Sequence, residues 1–232
     1  MSAHPTSTTG RAADGARRSL DLSVYLVTDA ALCGPRGVAS VVAEAVDGGV
    51  RAVQLRDKAA SIDDLLRQLE ALSAAIDGRA ALLVNDRVDV ALAARERGLP
   101  VDGVHVGQGD AAASAARDLL GDDAIIGLTA NSPEHLARLR RQARREVDYL
   151  GVGVIRPTTT KADHPPAIGV DGFARFAADA ELPCVAIGGI TLADVAALRE
   201  SGAAGVAVVS AICAAPSPRD AAAAFVAAWG AR

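Results

Sequence analysis

Short segments rich in β-branched residues alternate with longer Ala- and Leu-rich segments of helical period over most of the chain. This alternation is typical of parallel strands that are connected by helices. It predicts eight strands, each followed by one helix. The predicted strands span residues 24–28, 52–55, 81–84, 103–106, 125–128, 149–152, 184–187 and 205–208. The predicted helices span residues 38–48, 61–77, 88–97, 111–120, 132–145, 170–180, 191–201 and 216–229.

Eight strand-helix units favour an α/β fold of the TIM (β/α)8 barrel type. The alternative is an open doubly wound sheet, but no G-x-G-x-x-G follows the first strand to support it. The strand segments are apolar throughout, as expected for strands covered on both faces. A chain of 232 residues, half of them hydrophobic, is long enough for one such barrel. We expect a single barrel catalytic domain at 20–232 and a disordered N-terminal tail at 1–19, which is rich in small and polar residues.

Charge and cysteine content argue against several classes of protein. The net charge is −4, and we interpret the basic run at 138–145 as a solvated helix face rather than a nucleic-acid site. The three cysteines are far apart and lack C-x-x-C spacing, so neither a disulfide framework nor a zinc site is predicted. No apolar run reaches the ~18 residues of a membrane span, and the N-terminus shows no signal core. We expect a cytoplasmic protein without nucleic-acid or membrane partners, and a homo-oligomer is compatible with the sequence.

In a barrel of this type the active site forms at the carboxyl ends of the strands. After the second strand, the two-residue period sends Gln54 and Arg56 to the same side, and Lys58 is able to follow. If that side is the barrel mouth, one amide and two cations converge there. The alternative is an exposed strand end that pairs with neighbouring acidic residues.

Two carboxylates follow the third and fourth strands, namely Asp86 and Asp110. Magnesium is commonly held by one or two carboxylates together with phosphate oxygens of the substrate, so this pair predicts a Mg²⁺ site. The alternative is that each aspartate caps the helix that follows it, or that Asp86 pairs with Arg87.

Small and hydroxyl-bearing residues follow the later strands. The sixth strand leads into Thr158, Thr159, Thr160 and Lys161, and a glycine pair, 188–189, follows the seventh. Val209 and Ser210 end the eighth strand, where these barrels frequently bind phosphate on backbone N–H groups. Two groups that handle phosphate are therefore predicted, one for a diphosphate and one for a monophosphate.

The histidines fit poorly as catalysts. His105 lies in the fourth strand as either a packed or a ligand-facing side chain, and no Ser-His-Asp or Cys-His arrangement is evident. The predicted chemistry is therefore one that needs charge stabilisation more than proton abstraction.

Separated blocks of this sequence resemble the thiamine-phosphate synthase family in family order. The blocks are YLVTD (25–29), VQLRDK (53–58), VNDRVDVA (84–91), GVHVGQGD (103–110), IIGLTAN (125–131), DYLGVG (148–153), PTTTKAD (157–163), AIGGIT (186–191) and GVAVVSAI (205–212). The resemblance implies a TIM-barrel transferase. Its members join 4-amino-2-methyl-5-(diphosphooxymethyl)pyrimidine to a thiazole phosphate, or its carboxylated form, and release thiamine monophosphate and diphosphate.

The resemblance also implies roles for individual residues. The pyrimidine diphosphate site would contain Gln54, Leu55, Arg56, Asp57, Lys58, Asn85, Thr129 and Lys161. The thiazole phosphate site would contain Thr158, Thr160, Gly189, Val209 and Ser210, and the Mg²⁺ ligands would be Asp86 and Asp110. The catalytic residues would be Arg56, Lys58 and Lys161, which neutralise the departing diphosphate.

The sequence departs from the family pattern at three positions. The family usually has proline and an aromatic residue where this chain has Val154 and Arg156, and serine is commoner at position 129. Thr129 keeps the hydroxyl, and we expect Arg156 to add a phosphate contact. Two other functions stay open. One is a thiazole tautomerase of the same fold, which would have no diphosphate to neutralise, and the other is a non-catalytic binder of phosphorylated thiamine precursors.

Overall fold

The structure is a computed structural model that describes residues 20–108, 110–141, 146–160 and 166–231, without the side chains of 110–112 and 141. The predicted N-terminal tail, 1–19, lies outside the described residues. No helix within the described ranges has the length and apolar character needed to cross a bilayer.

Eight parallel strands close into a barrel in chain order, with β1 pairing both β2 and β8. The predicted TIM-barrel fold is thus confirmed, and each strand lies within one residue of its predicted bounds. Because all strands are parallel, their carboxyl ends meet at one mouth. The strands are β1 Val24–Val27, β2 Ala52–Leu55, β3 Ala81–Asn85, β4 Gly103–Val106, β5 Ile125–Thr129, β6 Tyr149–Gly153, β7 Cys184–Ile187 and β8 Gly205–Val208.

Helices surround the barrel. They are α1 Ala30–Cys33, α2 Val38–Asp47, α3 Ile62–Ile76, α4 Val88–Glu96, α5 Asp110–Leu120, α6 Pro133–Arg141, α7 Gly169–Asp179, α8 Val195–Glu200, α9 Ser210–Cys213 and α10 Pro218–Gly230, with 3-10 turns at Gly34–Arg36 and Leu192–Asp194. The predicted helix at 191–201 is divided into a 3-10 turn and α8. The end of the predicted helix at 132–145 lies outside the described residues. The sequence did not predict α1 and α9, because four residues are too few to show a helical period.

The alternation of side chains along each strand builds two apolar layers. Leu26 points outward, into the layer between the sheet and the helices, where Phe173 and Phe225 also pack. The neighbouring residue, Tyr25, points inward and packs with Leu83 in the barrel interior. Each large apolar side chain buried in this way stabilises the fold by roughly 1.5–3 kcal/mol.

Polar caps fix the start of two helical segments near the mouth. The hydroxyl of Ser61 accepts the backbone N–H of Asp64 at 3.1 Å and thereby caps α3. Thr191 and Asp194 form a capping box on the 3-10 turn that follows β7. Both caps agree with the sequence pattern, and the second fixes a turn that borders the cavity described next.

Candidate active site

A cavity opens at the carboxyl end of the barrel, and residues of every strand or of the loop after it line its wall. The polar residues that line it are Gln54, Arg56, Lys58, Asn85, Asp86, His105, Thr129, Asn131, Thr158, Thr160 and Ser210. The glycines Gly107, Gly151, Gly153, Gly188 and Gly189 bring backbone to its surface. Two cations and one carboxylate at one end, and glycines and hydroxyls at the other, give this cavity two chemically different sides.

The cationic side is built on the end of β2. Gln54 points inward and is only 3% exposed, and Arg56 and Lys58 follow it along the same wall. The buried hydroxyl of Thr28, just after β1, accepts the backbone N–H of Arg56 at 3.0 Å. This bond holds the backbone of Arg56 at the rim, from which its side chain reaches the cavity.

Asp86 stands at the end of β3 in an unusual backbone conformation. Its φ is +60°, a left-handed value that few non-glycine residues adopt, aspartate more readily than most. Its N–H is bonded to the carbonyl of His105 at 2.8 Å, and Asn85 donates its amide to the Asp86 carboxylate at 2.7 Å. The other carboxylate oxygen lies on the side of Gly107, at the end of β4. The backbone therefore directs this carboxylate toward the neighbouring loop after β4.

A chain of hydrogen-bonded side chains crosses the floor of the cavity. Gln54 Nε2 donates to the hydroxyl of Tyr25 at 2.7 Å, and the hydroxyls of Tyr25 and Tyr149 are 2.9 Å apart. His105 Nδ1 lies 3.0 Å from the Tyr149 hydroxyl, and its Nε2 lies 3.1 Å from Thr129 Oγ1. Burial raises the pKa of both tyrosines, so the two phenols stay neutral.

One assignment of the hydrogens satisfies every member of this chain. If Gln54 Nε2 donates to Tyr25, Tyr25 can donate to Tyr149, and Tyr149 to His105 Nδ1. A neutral His105 would then carry its proton on Nε2 and donate it to Thr129. The hydroxyl of Thr129 would be left with its own hydrogen for a ligand in the cavity.

Two glycines make room for this chain. A Cβ on Gly127 would lie 2.3 Å from the ring of Tyr149 and 2.5 Å from His105 Nδ1. A Cβ on Gly151 would lie 2.9 Å from the ring of His105. Both positions therefore need glycine if the ring pair is to remain inside the barrel.

The opposite side of the mouth presents backbone and hydroxyl groups. Gly188 and Gly189 have consecutive positive φ angles of +99° and +64°, which only glycine adopts without strain. Ser210 begins the short helix α9, and the first N–H groups of a helix have no acceptor within it. Thr158 and Thr160 face this segment from the loop after β6, with their hydroxyls 3.3 Å apart. Donors without charge therefore dominate this side.

Comparison with known proteins decides the family. The sequence profile described as thiamine monophosphate synthase matches residues 24–212. The chain belongs to the thiamine monophosphate synthase family. It is 44% identical over 201 residues to the thiamine-phosphate synthase of Psychrobacter sp. (strain PRwf-1), covering 87% of this chain and 92% of the relative. It is 46% identical over 203 residues to that of Azorhizobium caulinodans, with the same coverage of 87% and 92%.

The solved structures agree with this family. Thiamine phosphate pyrophosphorylase from Pyrococcus furiosus superposes with a TM-score of 0.76 at 30% identity, over 90% of this chain and 96% of that one. The resemblance inferred from the sequence blocks is thereby confirmed, and so is the enzyme class, since thiamine-phosphate synthases are transferases.

The structure brings most of the predicted site residues of this family to one cavity. Gln54, Arg56, Lys58, Asn85, Asp86, Thr129, Thr158, Thr160, Gly189, Val209 and Ser210 all line it. Lys161 and the side chain of Asp110 lie outside the described residues. Their roles, like those of the residues in the cavity, stay predictions.

Two of the predicted site residues turn their side chains away from the cavity. Leu55 is 1% exposed and packs between the sheet and the helices, because strand alternation turns it away from Gln54. Asp57 turns outward, where it accepts from the side chain of Gln68 at 3.1 Å and from the backbone of Ala59 at 3.2 Å. Neither Leu55 nor Asp57 is among the residues that line the cavity, so their roles in substrate binding stay predictions.

The sequence reasoning missed two tyrosines and one asparagine. Tyr25, Tyr149 and Asn131 line the cavity, and His105 proves to be a cavity-lining side chain with a defined place in the hydrogen-bonded chain. The two-residue period already places Tyr25 on the same face as Val27 and Tyr149 on the same face as Gly151. A search for inward-facing polar groups along whole strands, rather than at strand ends alone, would have found them.

The donor set fits a hard divalent cation. Asp86 supplies a carboxylate and the adjacent Asn85 can orient it, while the helix that begins at Asp110 starts just beyond Gln108 on the facing β4 loop. Among the described residues no group of three or more His, Cys, Asp or Glu is close enough to form a complete metal site. An arrangement with few protein ligands is the kind that Mg²⁺ uses when substrate phosphates and water complete its shell.

Proposed function

We propose that this chain joins 4-amino-2-methyl-5-(diphosphooxymethyl)pyrimidine to 4-methyl-5-(2-phosphooxyethyl)thiazole to give thiamine monophosphate and diphosphate. With the 2-carboxy form of the thiazole, CO2 is released as well. The observation that carries the proposal is a single cavity whose two sides suit different phosphates. Membership of the thiamine monophosphate synthase family supports it.

The diphosphate belongs on the side of β2 and β3. Arg56 and Lys58 supply positive charge at the rim, and Asn85 can donate to phosphate oxygens. Gln54 and Thr129, the two ends of the hydrogen-bonded chain, offer fixed polar groups to the pyrimidine ring. Lys161 and Asp110 are predicted to complete this side.

The monophosphate belongs on the side of β7 and β8. Gly189 permits close approach of a phosphate to its backbone, and Val209 and Ser210 lead into the amino end of α9. Thr158 and Thr160 add hydroxyl donors from the facing loop. The thiazole ring would then lie between the phosphate and the pyrimidine methylene.

The proposed mechanism is a dissociative substitution governed by charge. When the diphosphate leaves, the amino-substituted pyrimidine delocalises the positive charge of the methylene, so the unfavourable feature is the negative charge of the leaving group. Arg56 and Lys58 stabilise that charge, and a magnesium ion held by Asp86 and Asp110 would supply further Lewis-acid stabilisation. The thiazole nitrogen attacks with a lone pair and loses no proton. No general base is required, which agrees with a His105 committed to hydrogen bonds on both ring nitrogens.

The test is product formation with both substrates and magnesium, followed by chromatography for thiamine monophosphate and an assay for diphosphate. We expect the two products in equal amounts, and neither product when one substrate is omitted. Folded protein that forms no thiamine monophosphate would refute the proposal. Interconversion of thiazole isomers without the pyrimidine substrate would instead indicate a tautomerase, and binding of both substrates without turnover would indicate a non-catalytic binder.

The proposed metal ligand can be tested with Asp86→Asn, because asparagine tolerates the left-handed backbone at this position. Loss of the charged ligand should lower magnesium-dependent turnover by about 100-fold or more. The matched control is Asp89→Asn, which lies three residues away in an exposed ion pair with Arg87. Turnover that is unchanged in Asp86→Asn would remove this residue from the metal site.

The cytoplasmic location predicted from the sequence is part of the same proposal. All three cysteines of the chain are free and buried, as suits a protein of a reducing compartment.

A further inference from the structure

Arg156 and Asp194 form an ion pair next to the cavity without lining it. The Arg156 guanidinium donates through Nε and Nη2 to Asp194, with the shortest distance, 2.5 Å, between Nη2 and Oδ1. The Asp194 side chain is 3% exposed and the Arg156 side chain 56% exposed. Two of the guanidinium nitrogens are thus committed to Asp194, so the phosphate contact expected for Arg156 stays a prediction.

The Asp194 carboxylate also holds the turn that follows β7. Its Oδ2 accepts the backbone N–H of Thr191 at 2.9 Å and the Thr191 hydroxyl at 2.8 Å. The hydrogen bonds from Arg156 hold the pKa of this carboxyl below its usual range, so it is charged at neutral pH. One carboxylate therefore connects the capping box of the turn to the loop after β6.

Arg156 is attached to the same turn a second time, through its backbone. Its N–H donates to the carbonyl of Gly188 at 2.9 Å, and the N–H of Ile155 donates to the carbonyl of Ile187 at 3.0 Å. Arg156 thus binds the turn at both ends, at Gly188 through its backbone and at Thr191 through Asp194. Gly189 lies between these two attachment points.

The two loops are in direct contact along this stretch. A Cβ on Gly188 would lie 2.5 Å from the Cβ of Val154, and one on Gly189 would lie 2.8 Å from the Cβ of Arg156. Because the two loops are in contact without a gap, a change in the position of Arg156 is expected to move the glycine turn.

We propose that Arg156 and Asp194 are positioning residues that fix the turn 188–191 against the loop after β6, and that this clamp sets the affinity for the monophosphate of the thiazole substrate. The inference rests on the proposed function, since it assigns that phosphate to Gly189 and its neighbours. The clamp itself touches no substrate, and it acts on the opposite side of the mouth from Arg56 and Lys58.

The test uses Arg156→Gln, Asp194→Asn and the double variant. Asparagine retains an oxygen that can accept from Thr191, so Asp194→Asn removes the charge of the pair while the cap is kept. Each single variant should raise KM for the thiazole phosphate by about 5- to 10-fold, with KM for the pyrimidine diphosphate unchanged. The double variant should be no worse than the single ones, because both changes break the same interaction.

The matched control is Arg79→Gln, which removes an ion pair with Asp47 at the opposite end of the barrel and should leave both KM values unchanged. Equal changes in both KM values, an additive double variant, or an unchanged KM for the thiazole phosphate would overturn the proposal.

Backbone hydrogen exchange separates this proposal from the proposed function. In both single variants the amides of 155–160 and 187–191 should exchange faster than in the wild type, whether or not the protein makes thiamine monophosphate. A wild type without synthase activity refutes the proposed function alone. Exchange that is unchanged in folded variants refutes the clamp.

Discussion

At the scale of single residues, the floor of the cavity is a chain of hydrogen-bonded hydroxyl, amide and imidazole groups. Each member lies within hydrogen-bond distance of the next, from Gln54 through Tyr25 and Tyr149 to His105 and Thr129. Buried polar groups are stable only when they are paired in this way. The chain orients the polar groups that the cavity offers, and it reaches two residues that we assign to the pyrimidine.

His105→Phe should interrupt this chain and keep the space filled. Tyr149 and Thr129 would each lose a hydrogen-bond partner, which should lower the free energy of unfolding by about 1–3 kcal/mol. It should also lower kcat/KM for the pyrimidine diphosphate by about 10-fold while KM for the thiazole phosphate stays unchanged. Steady-state kinetics and urea unfolding measure both effects. A variant with wild-type kinetics for the pyrimidine substrate would show that the hydrogen-bonded chain has no part in recognising that substrate.

At the scale of elements, the loops that follow β6 and β7 work as one unit. Their backbones are hydrogen-bonded to each other, and the glycine turn is packed closely against the loop after β6. We therefore expect affinity for the proposed thiazole phosphate to depend on this pair of loops rather than on any one contact.

Gly189→Ala tests that packing. Alanine at a φ of +64° is strained, and its Cβ would lie 2.8 Å from both the Cβ of Arg156 and the carbonyl oxygen of Pro157. We expect KM for the thiazole phosphate to rise by about 10-fold or more. Gly202→Ala is the matched control, because Gly202 has a φ of +85° but no atom within 4 Å of the added Cβ. If both variants raised KM equally, backbone strain alone would explain the effect.

At the scale of the whole molecule, one end of the barrel is assigned to the proposed reaction and the other end to stability. The proposed chemistry lies at the carboxyl ends of the strands, whereas Arg117 stabilises the opposite end. Arg117 is 8% exposed, donates to the carbonyls of Gly121 and Ala124 at 3.0 and 2.7 Å, and pairs with Asp148 at 2.9 Å. We therefore expect mutations at one end of the barrel to change stability and mutations at the other end to change activity.

Arg117→Met should lower the free energy of unfolding by about 3 kcal/mol, because the Asp148 carboxylate keeps the N–H of Ile126 but loses its charged partner. The kinetic constants of the folded variant should not change. Arg67→Met, which removes an exposed ion pair with Asp64, should cost less than about 1 kcal/mol. Chemical denaturation measures the difference, and equal losses in the two variants would contradict the assignment of Arg117.

The sequence predicted the barrel and most residues of its mouth for a physical reason. Strand alternation and the rule that parallel strands end at one face are local, so Gln54, Arg56 and Asp86 could be placed without tertiary information. The hydrogen-bonded chain from Tyr25 to Thr129 and the clamp of Arg156 and Asp194 join residues that are far apart in sequence. Such contacts depend on strand register and on loop geometry, which no short pattern encodes.

The most direct test of the two-sided mouth is a crystal structure with thiamine monophosphate, diphosphate and magnesium bound together. We predict the diphosphate beside Arg56, Lys58 and Asp86, and the phosphate of thiamine monophosphate against Gly189 and Ser210. Both groups on one side, or the two positions exchanged, would contradict the account.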